Sequence, residues 1–92
     1  MAEIVVRDES PDFHVTVRDG SGETEHIVRV ADDYVSRLGL DHADRRGLVE
    51  RSFEFLLERE PKESIMRSFD LSVIERYFPE YPDEINNRME PS

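Results

Sequence analysis

The chain changes its hydrophobic period once, near residue 31, and this change constrains the fold more than any other feature of the sequence. Before it, apolar residues alternate with polar ones, as in Phe13, Val15 and Val17, a pattern typical of strands with one buried face. From Asp32 onward, apolar residues recur three or four positions apart, which is the period of an amphipathic helix. Strands followed by helices predict an α+β fold.

The turn sequence at residues 19–22, Asp-Gly-Ser-Gly, predicts a β-hairpin. A two-residue turn centred on Gly20 and Ser21 sets Phe13 opposite Val28, and a type II′ turn predicts a positive φ at Gly20. Residues 3–6 have the composition of a further strand. We therefore expect an antiparallel β-meander of two or three strands.

Capping and breaking residues delimit the predicted helices. Gly39 is expected to end a first helix that Asp32 caps, and either Asp41 or Asp44 is expected to cap the central helix at residues 48–60. Asp70 is placed to cap a third helix, which stops before Pro79 because the residue preceding proline avoids the α conformation.

These elements predict one α+β domain over residues 1–85, in which the small meander packs on three to four helices. Residues 86–92 are predicted to be a disordered C-terminal tail.

Charge is the strongest compositional signal. The chain has 22 acidic and 12 basic residues, a formal net charge of -10, and such a surface repels the phosphate backbone of nucleic acids. The same acidic, lysine-poor composition also resembles the surfaces of proteins from salt-loving cells, in which screening removes most of the information about partners. Both readings remain open at the level of the sequence.

Composition also bears on compartment. The chain has no cysteine, which excludes disulfides and thiolate chemistry and fits a reducing cytoplasm. No apolar run reaches the length of a membrane span, of about 18 residues, and the N-terminus lacks the pattern of a signal peptide. We expect a cytoplasmic protein without membrane contact.

No pattern indicates a catalytic, metal or cofactor site. The hairpin register puts His14 and His26 on opposite faces of the sheet, so they cannot ligate one metal ion together. Gly20 and its neighbours lack the lysine and the helix start that a phosphate-binding loop requires. We expect neither an enzyme nor a small-molecule or cofactor-binding protein.

Two resemblances bear on the fold. Residues 26–60, a strand followed by a short and a longer helix, resemble the ribbon-helix-helix proteins, which implies a DNA-binding regulator or an antitoxin. Residues 48–61, 64–71 and 77–81 together resemble a group of small uncharacterised prokaryotic proteins in which a hairpin precedes helices. That second resemblance implies a common fold and carries no activity.

The aromatic residues of the second half exceed what one face of a small sheet can cover. This surplus predicts a surface for a protein partner or for self-association, as a homodimer or otherwise. The residues expected to bind the partner are Phe55, Met66, Tyr77 and Tyr81. The alternative is that these side chains only complete the core. The sequence thus favours a small cytoplasmic interaction or regulatory module, with the ribbon-helix-helix regulator as the alternative.

Overall fold

The computed structural model describes residues 2–89 and consists of one four-stranded sheet with four α-helices. The strands are β1 (Glu3–Glu9), β2 (Asp12–Asp19), β3 (Gly22–Arg29) and β4 (Ser68–Asp70). The helices are α1 (Asp32–Leu38), α2 (Arg45–Leu57), α3 (Val73–Tyr77) and α4 (Tyr81–Met89), and a single 3-10 turn covers Lys62–Ser64. The predicted α+β class is confirmed.

The sheet contains the predicted meander and one additional strand. Its order is β1-β2-β3-β4; the first three strands are antiparallel, and β4 joins β3 in parallel. The predicted pairing of Phe13 with Val28 is present. One face of the sheet carries the buried apolar side chains, among them Val15, Val17 and Val28, and the helices cover it.

The predicted conformation of the hairpin turn is wrong in one detail. The glycine with a positive φ is Gly22, at 135°, and Gly20 does not have one. The Asp19 carboxylate accepts hydrogen bonds from the backbone N–H and the hydroxyl of Ser21, both at 2.8 Å. This Asx turn fixes the conformation of the loop. The positive φ is therefore found at Gly22, the first residue of β3.

The two ends of the α1–α2 connection follow the sequence signals closely. Gly39 ends α1 with φ 75°, and the N–H of the buried Leu40 donates to the Val35 carbonyl at 3.1 Å, as in a Schellman motif. Asp44 caps α2 by accepting from the N–H groups of Arg46 and Gly47. Asp32 itself is the first residue of α1 instead of its cap, which is Ala31.

The predicted cap at Asp70 is wrong, because this residue belongs to β4. Phe69 pairs with Val28, and the N–H of Leu71 donates to the Arg29 carbonyl at 2.9 Å. The pairing extends the sheet and buries the Phe69 ring. This contact with a distant strand prevails over the local signal for a helix cap. As a result α3 starts at Val73, and it ends at Tyr77, close to the stop predicted from Pro79.

The predicted disordered tail is wrong for residues 86–89, which complete α4. The Asn86 side chain donates to the Leu38 carbonyl at 3.0 Å and to the Pro82 carbonyl at 2.9 Å, which ties α4 to the end of α1. Residues 90–92 lie outside the described part of the chain. None of the helices between residues 2 and 89 is both long and apolar enough to cross a membrane.

Candidate interaction surface

The structure separates the four residues predicted to bind a partner into two pairs. Tyr77 is 67% exposed and Met66 41% exposed, whereas Phe55 and Tyr81 are both 0% exposed. The expectation of a surface position for Phe55 and Tyr81 is therefore corrected: these two rings belong to the core.

A second packing layer accounts for the burial of Phe55 and Tyr81. The sheet covers only part of the aromatic residues, but α4 packs on α2 and supplies a further interface. There, the Phe55 ring meets the Tyr81 ring with centroids 5.3 Å apart and the Phe78 ring at 5.9 Å. The Arg59 guanidinium lies over Phe55 at 3.7 Å and closes this cluster toward solvent.

The hydroxyl of Tyr81 has a defined role inside this layer. The Ser52 hydroxyl donates to the Leu48 carbonyl at 2.7 Å, so the Tyr81 hydroxyl, 2.6 Å from Ser52 Oγ, is the donor in their shared hydrogen bond. Burial raises the pKa of Tyr81 well above its ordinary range. The phenol therefore stays neutral in the core.

The exposed pair, Met66 and Tyr77, lines a single apolar groove, which we call the Met66 groove. It has a volume of about 210 Å³ and lies between the end of α2, the segment that leads into β4, and α3. Its lining residues are Leu56, Glu60, Ser64, Ile65, Met66, Phe69, Val73, Ile74, Tyr77 and Phe78. Eight of these ten side chains are apolar or aromatic, so the groove suits an apolar side chain of a ligand.

Of the ten residues that line this groove, only Met66 and Tyr77 were predicted from the sequence to bind a partner. Val73 lies four residues before Tyr77, on the same side of α3, and this spacing is a signal that the apolar stripe of the helix continues beyond its buried residue Ile74. Glu60 gave no signal, since it stands among charged residues just beyond the end of α2.

Glu60 is the one ionisable group besides Tyr77 that lines the groove. Partial burial raises the pKa of its carboxyl. Among residues 2–89, no cation lies within ion-pair distance of Glu60, although neighbouring Arg59 pairs with Glu80 and Glu58. The groove thus combines an apolar lining with a carboxylate that lacks a basic partner.

The buried His26 contacts the backbone of Met66, a residue that lines the groove. His26 Nδ1 lies 2.7 Å from the Met66 carbonyl and Nε2 lies 2.9 Å from the Thr24 hydroxyl, and its ring packs on Phe53. Burial lowers the pKa of His26. The neutral imidazole therefore fixes the backbone of Met66 to β3.

Lys62, the only lysine in the chain, stands in the sequence between Glu60 and Ser64, two residues that line the groove. Its ammonium donates to Asp19 at 2.8 Å, to Ser21 at 2.7 Å and to Glu63 at 2.6 Å, and its side chain is almost fully buried. All three donors are used. This contact ties the 3-10 turn to the β2–β3 hairpin and leaves Lys62 unavailable to a ligand.

The uncovered face of the sheet is a second exposed surface, and it has a different character. Val5 and Ile27 are exposed there, but three arginines with carboxylates on either side surround them. The ion pairs are Arg18 with Glu3 and Glu23, Arg7 with Glu9 and Glu25, and Arg29 with Asp12 and Asp70. Each arginine has carboxylate partners within the face, and the two apolar side chains lie on β1 and β3 with β2 between them, so they form no continuous apolar patch.

The segment that resembles a ribbon-helix-helix protein is arranged differently here. In that family the strand pairs with the same strand of a second subunit. In this chain β3 lies between β2 and β4, and β4 pairs with residues 27–29 of β3. Residues 26–60 therefore present no free strand for such a dimer.

Within residues 2–89 no group of three or more histidine and acidic side chains is placed to hold a metal ion. His14 lies on the partly exposed face and His26 is buried, as the hairpin register predicts.

Comparisons of the chain with models of protein families, with curated proteins and with solved structures found no match.

Proposed function

We propose that the protein is a small cytoplasmic interaction or regulatory module without catalytic activity, and that the Met66 groove receives an apolar side chain of a protein partner. The observation that carries this proposal is the concentration of exposed apolar side chains in one concave site, with Tyr77 67% and Met66 41% exposed. Methionine and aromatic residues are enriched in protein interfaces, and exposed apolar patches mark contact sites.

The groove is a better candidate than the open face of the sheet. Val5 and Ile27 are exposed to a similar degree, at 37% and 39%, but they stand among charged side chains and on separate strands. The groove is concave and predominantly apolar, which allows a ligand to be desolvated at its centre, where binding energy concentrates.

The other parts of the proposal rest on the sequence. The cysteine-free composition supports a cytoplasmic location. Self-association is the form in which the partner is a second copy of the chain, and the net charge of -10 opposes it, since two such chains repel each other except at high salt.

A selection from a random peptide-display library tests this proposal without a known partner. Peptides are selected on the wild type and then assayed on two variants with the same substitution at matched exposure, Met66→Glu in the groove and Val5→Glu on the open face of the sheet. We expect peptides with an apolar anchor that bind the wild type and Val5→Glu alike and bind Met66→Glu about tenfold more weakly or worse. Far-UV circular dichroism and melts confirm that both variants are folded.

Two results would overturn the proposal. One is a selection that yields no peptide above background. The other is a set of peptides that bind Met66→Glu as well as they bind the wild type, because their site would then lie elsewhere.

A further inference from the structure

The sheet has two outer strands, and their free edges differ. On β1, the Val6 carbonyl accepts a hydrogen bond from Arg46 Nε at 2.9 Å, so a side chain of α2 occupies the middle of that edge. Blocking of this kind is a common protection of an edge against pairing with other chains. The β1 edge is therefore partly closed.

The β4 edge is open. Ile27 N–H donates to the Arg67 carbonyl at 2.7 Å, and Leu71 N–H donates to the Arg29 carbonyl at 2.9 Å. Backbone groups of successive residues in a strand point to alternate sides, so those of Ser68 and Asp70 point away from β3. Both residues are exposed, and within residues 2–89 no turn or loop group bonds to their backbone.

This open edge adjoins the Met66 groove. Phe69, between Ser68 and Asp70, turns its ring to the helical side of the sheet and lines the groove. A strand added beside β4 would alternate in the same way, and every second side chain would face the helical side. Edge pairing supplies backbone hydrogen bonds and the groove supplies a pocket for a side chain, which together form a known mode of peptide recognition.

The charge of the site indicates the chemistry of the occupant. The Glu60 carboxylate lines the groove without a cation beside it among residues 2–89, and the chain as a whole carries a formal charge of -10. A lysine or arginine of the occupant would pair with Glu60 in partly desolvated surroundings, where such a pair contributes to specificity. A second copy of this acidic chain fits this requirement poorly.

We propose that the occupant is an extended segment of another protein that pairs with β4 as a fifth strand, inserts an apolar side chain into the Met66 groove and places a lysine or arginine beside Glu60. This inference rests on the proposed function and adds the conformation and the charge of the ligand. The short length of β4, three residues, implies that the anchor side chain carries most of the affinity.

Synthetic forms of one selected peptide test both additions. First, its basic residue is replaced by glutamine, and both forms are titrated against the wild type, Glu60→Gln and Glu50→Gln, the last being a matched control on α2 outside the groove. We expect the replacement to weaken binding about tenfold for the wild type and Glu50→Gln, and less than about twofold for Glu60→Gln.

Second, single backbone amides of the peptide are N-methylated in turn. Methylation removes one donor at a time, so a segment paired as a strand loses affinity at every second position. A peptide bound as a helix would not show this two-residue period.

The outcomes separate this inference from the proposed function. Peptides that need Met66 but show no enrichment in basic residues, no dependence on Glu60 or no two-residue period leave the groove as the binding site and overturn the inference. Concentration-dependent dimerisation of the wild type in sedimentation, abolished by Met66→Glu, would identify a second copy as the occupant and overturn it as well.

Discussion

At the scale of single residues, the same aromatic chemistry has opposite roles four positions apart. Tyr77 and Tyr81 flank the break at Pro79, and the sequence predicted both to bind a partner. The structure exposes the first in the Met66 groove and buries the second against Phe55, with its hydroxyl bonded to Ser52. The difference arises because Tyr81 opens α4, whose packing on α2 is a nonlocal interaction.

This assignment predicts a large difference in stability between two alanine variants. Tyr81→Ala should lower the free energy of unfolding by about 3–5 kcal/mol, because it leaves a cavity in the second layer. Tyr81→Phe removes only the hydrogen bond to Ser52 and should cost about 0.5–1.5 kcal/mol. The exposed control, Tyr77→Ala, should stay within about 0.5 kcal/mol of the wild type. Urea melts measure all three, and equal melts for the two alanine variants would contradict the burial of Tyr81.

The buried His26 predicts a specific dependence of stability on pH. Burial lowers the pKa of its imidazole in the folded state, so below the ordinary pKa of about 6.5 the unfolded chain binds a proton that the folded chain resists. Stability should therefore fall as the pH drops through this range, and the loss should level off once the pH is below the lowered pKa of the folded state.

Urea midpoints at pH 7.5 and pH 5 for the wild type and for His26→Gln isolate this contribution, since the carboxylates are common to both. The variant should lose less stability between the two pH values than the wild type. His42→Gln, which leaves His26 in place, serves as the control and should behave like the wild type. Parallel pH profiles for the wild type and His26→Gln would show that His26 is not buried in its neutral form.

At the scale of elements, the sequence predicted those features that depend on neighbours along the chain. The hairpin register follows from the turn at residues 19–22, the end of α1 from Gly39, and the stop before Pro79 from local backbone sterics. In contrast, β4 obtains its partners from Ile27 to Arg29, about forty positions earlier. A strand of three residues is too short to show the two-residue alternation of a strand. The sequence around Asp70 therefore resembled a helix cap.

The sequence left two candidates for the cap of α2, Asp41 and Asp44, and the structure assigns the cap to Asp44. The Asp44 carboxylate accepts from Arg46 N–H at 3.3 Å and from Gly47 N–H at 3.2 Å. Asp44→Ala should lower the free energy of unfolding by about 0.5–2 kcal/mol, whereas Asp44→Ser retains an acceptor and should cost less. Asp33→Ala, which removes an exposed acid from α1, is the control. If Asp44→Ala melted like Asp33→Ala, the cap would be misplaced.

At the scale of the whole molecule, two packing layers explain why the candidate site was only half predictable. The sheet face and the α2–α4 interface together bury most of the apolar side chains. Phe55 and Tyr81 are among them, so they do not belong to the surface that the sequence predicted. Met66 and Tyr77 remained because α3 is short and leaves the edge beside β4 uncovered. Glu60 was unpredictable, since only the fold shows which of many surface carboxylates borders an apolar groove.

Mapping of amide chemical shifts in a ¹⁵N-labelled sample, titrated with a selected peptide, tests the central claim that the Met66 groove is the contact surface. We predict that the largest shifts fall at residues 56–60, 64–70 and 73–78, while the amides of Val5 and Thr16, on the open face of the sheet and away from β4, do not shift. Shifts concentrated on that open face, with residues 64–78 unchanged, would contradict it.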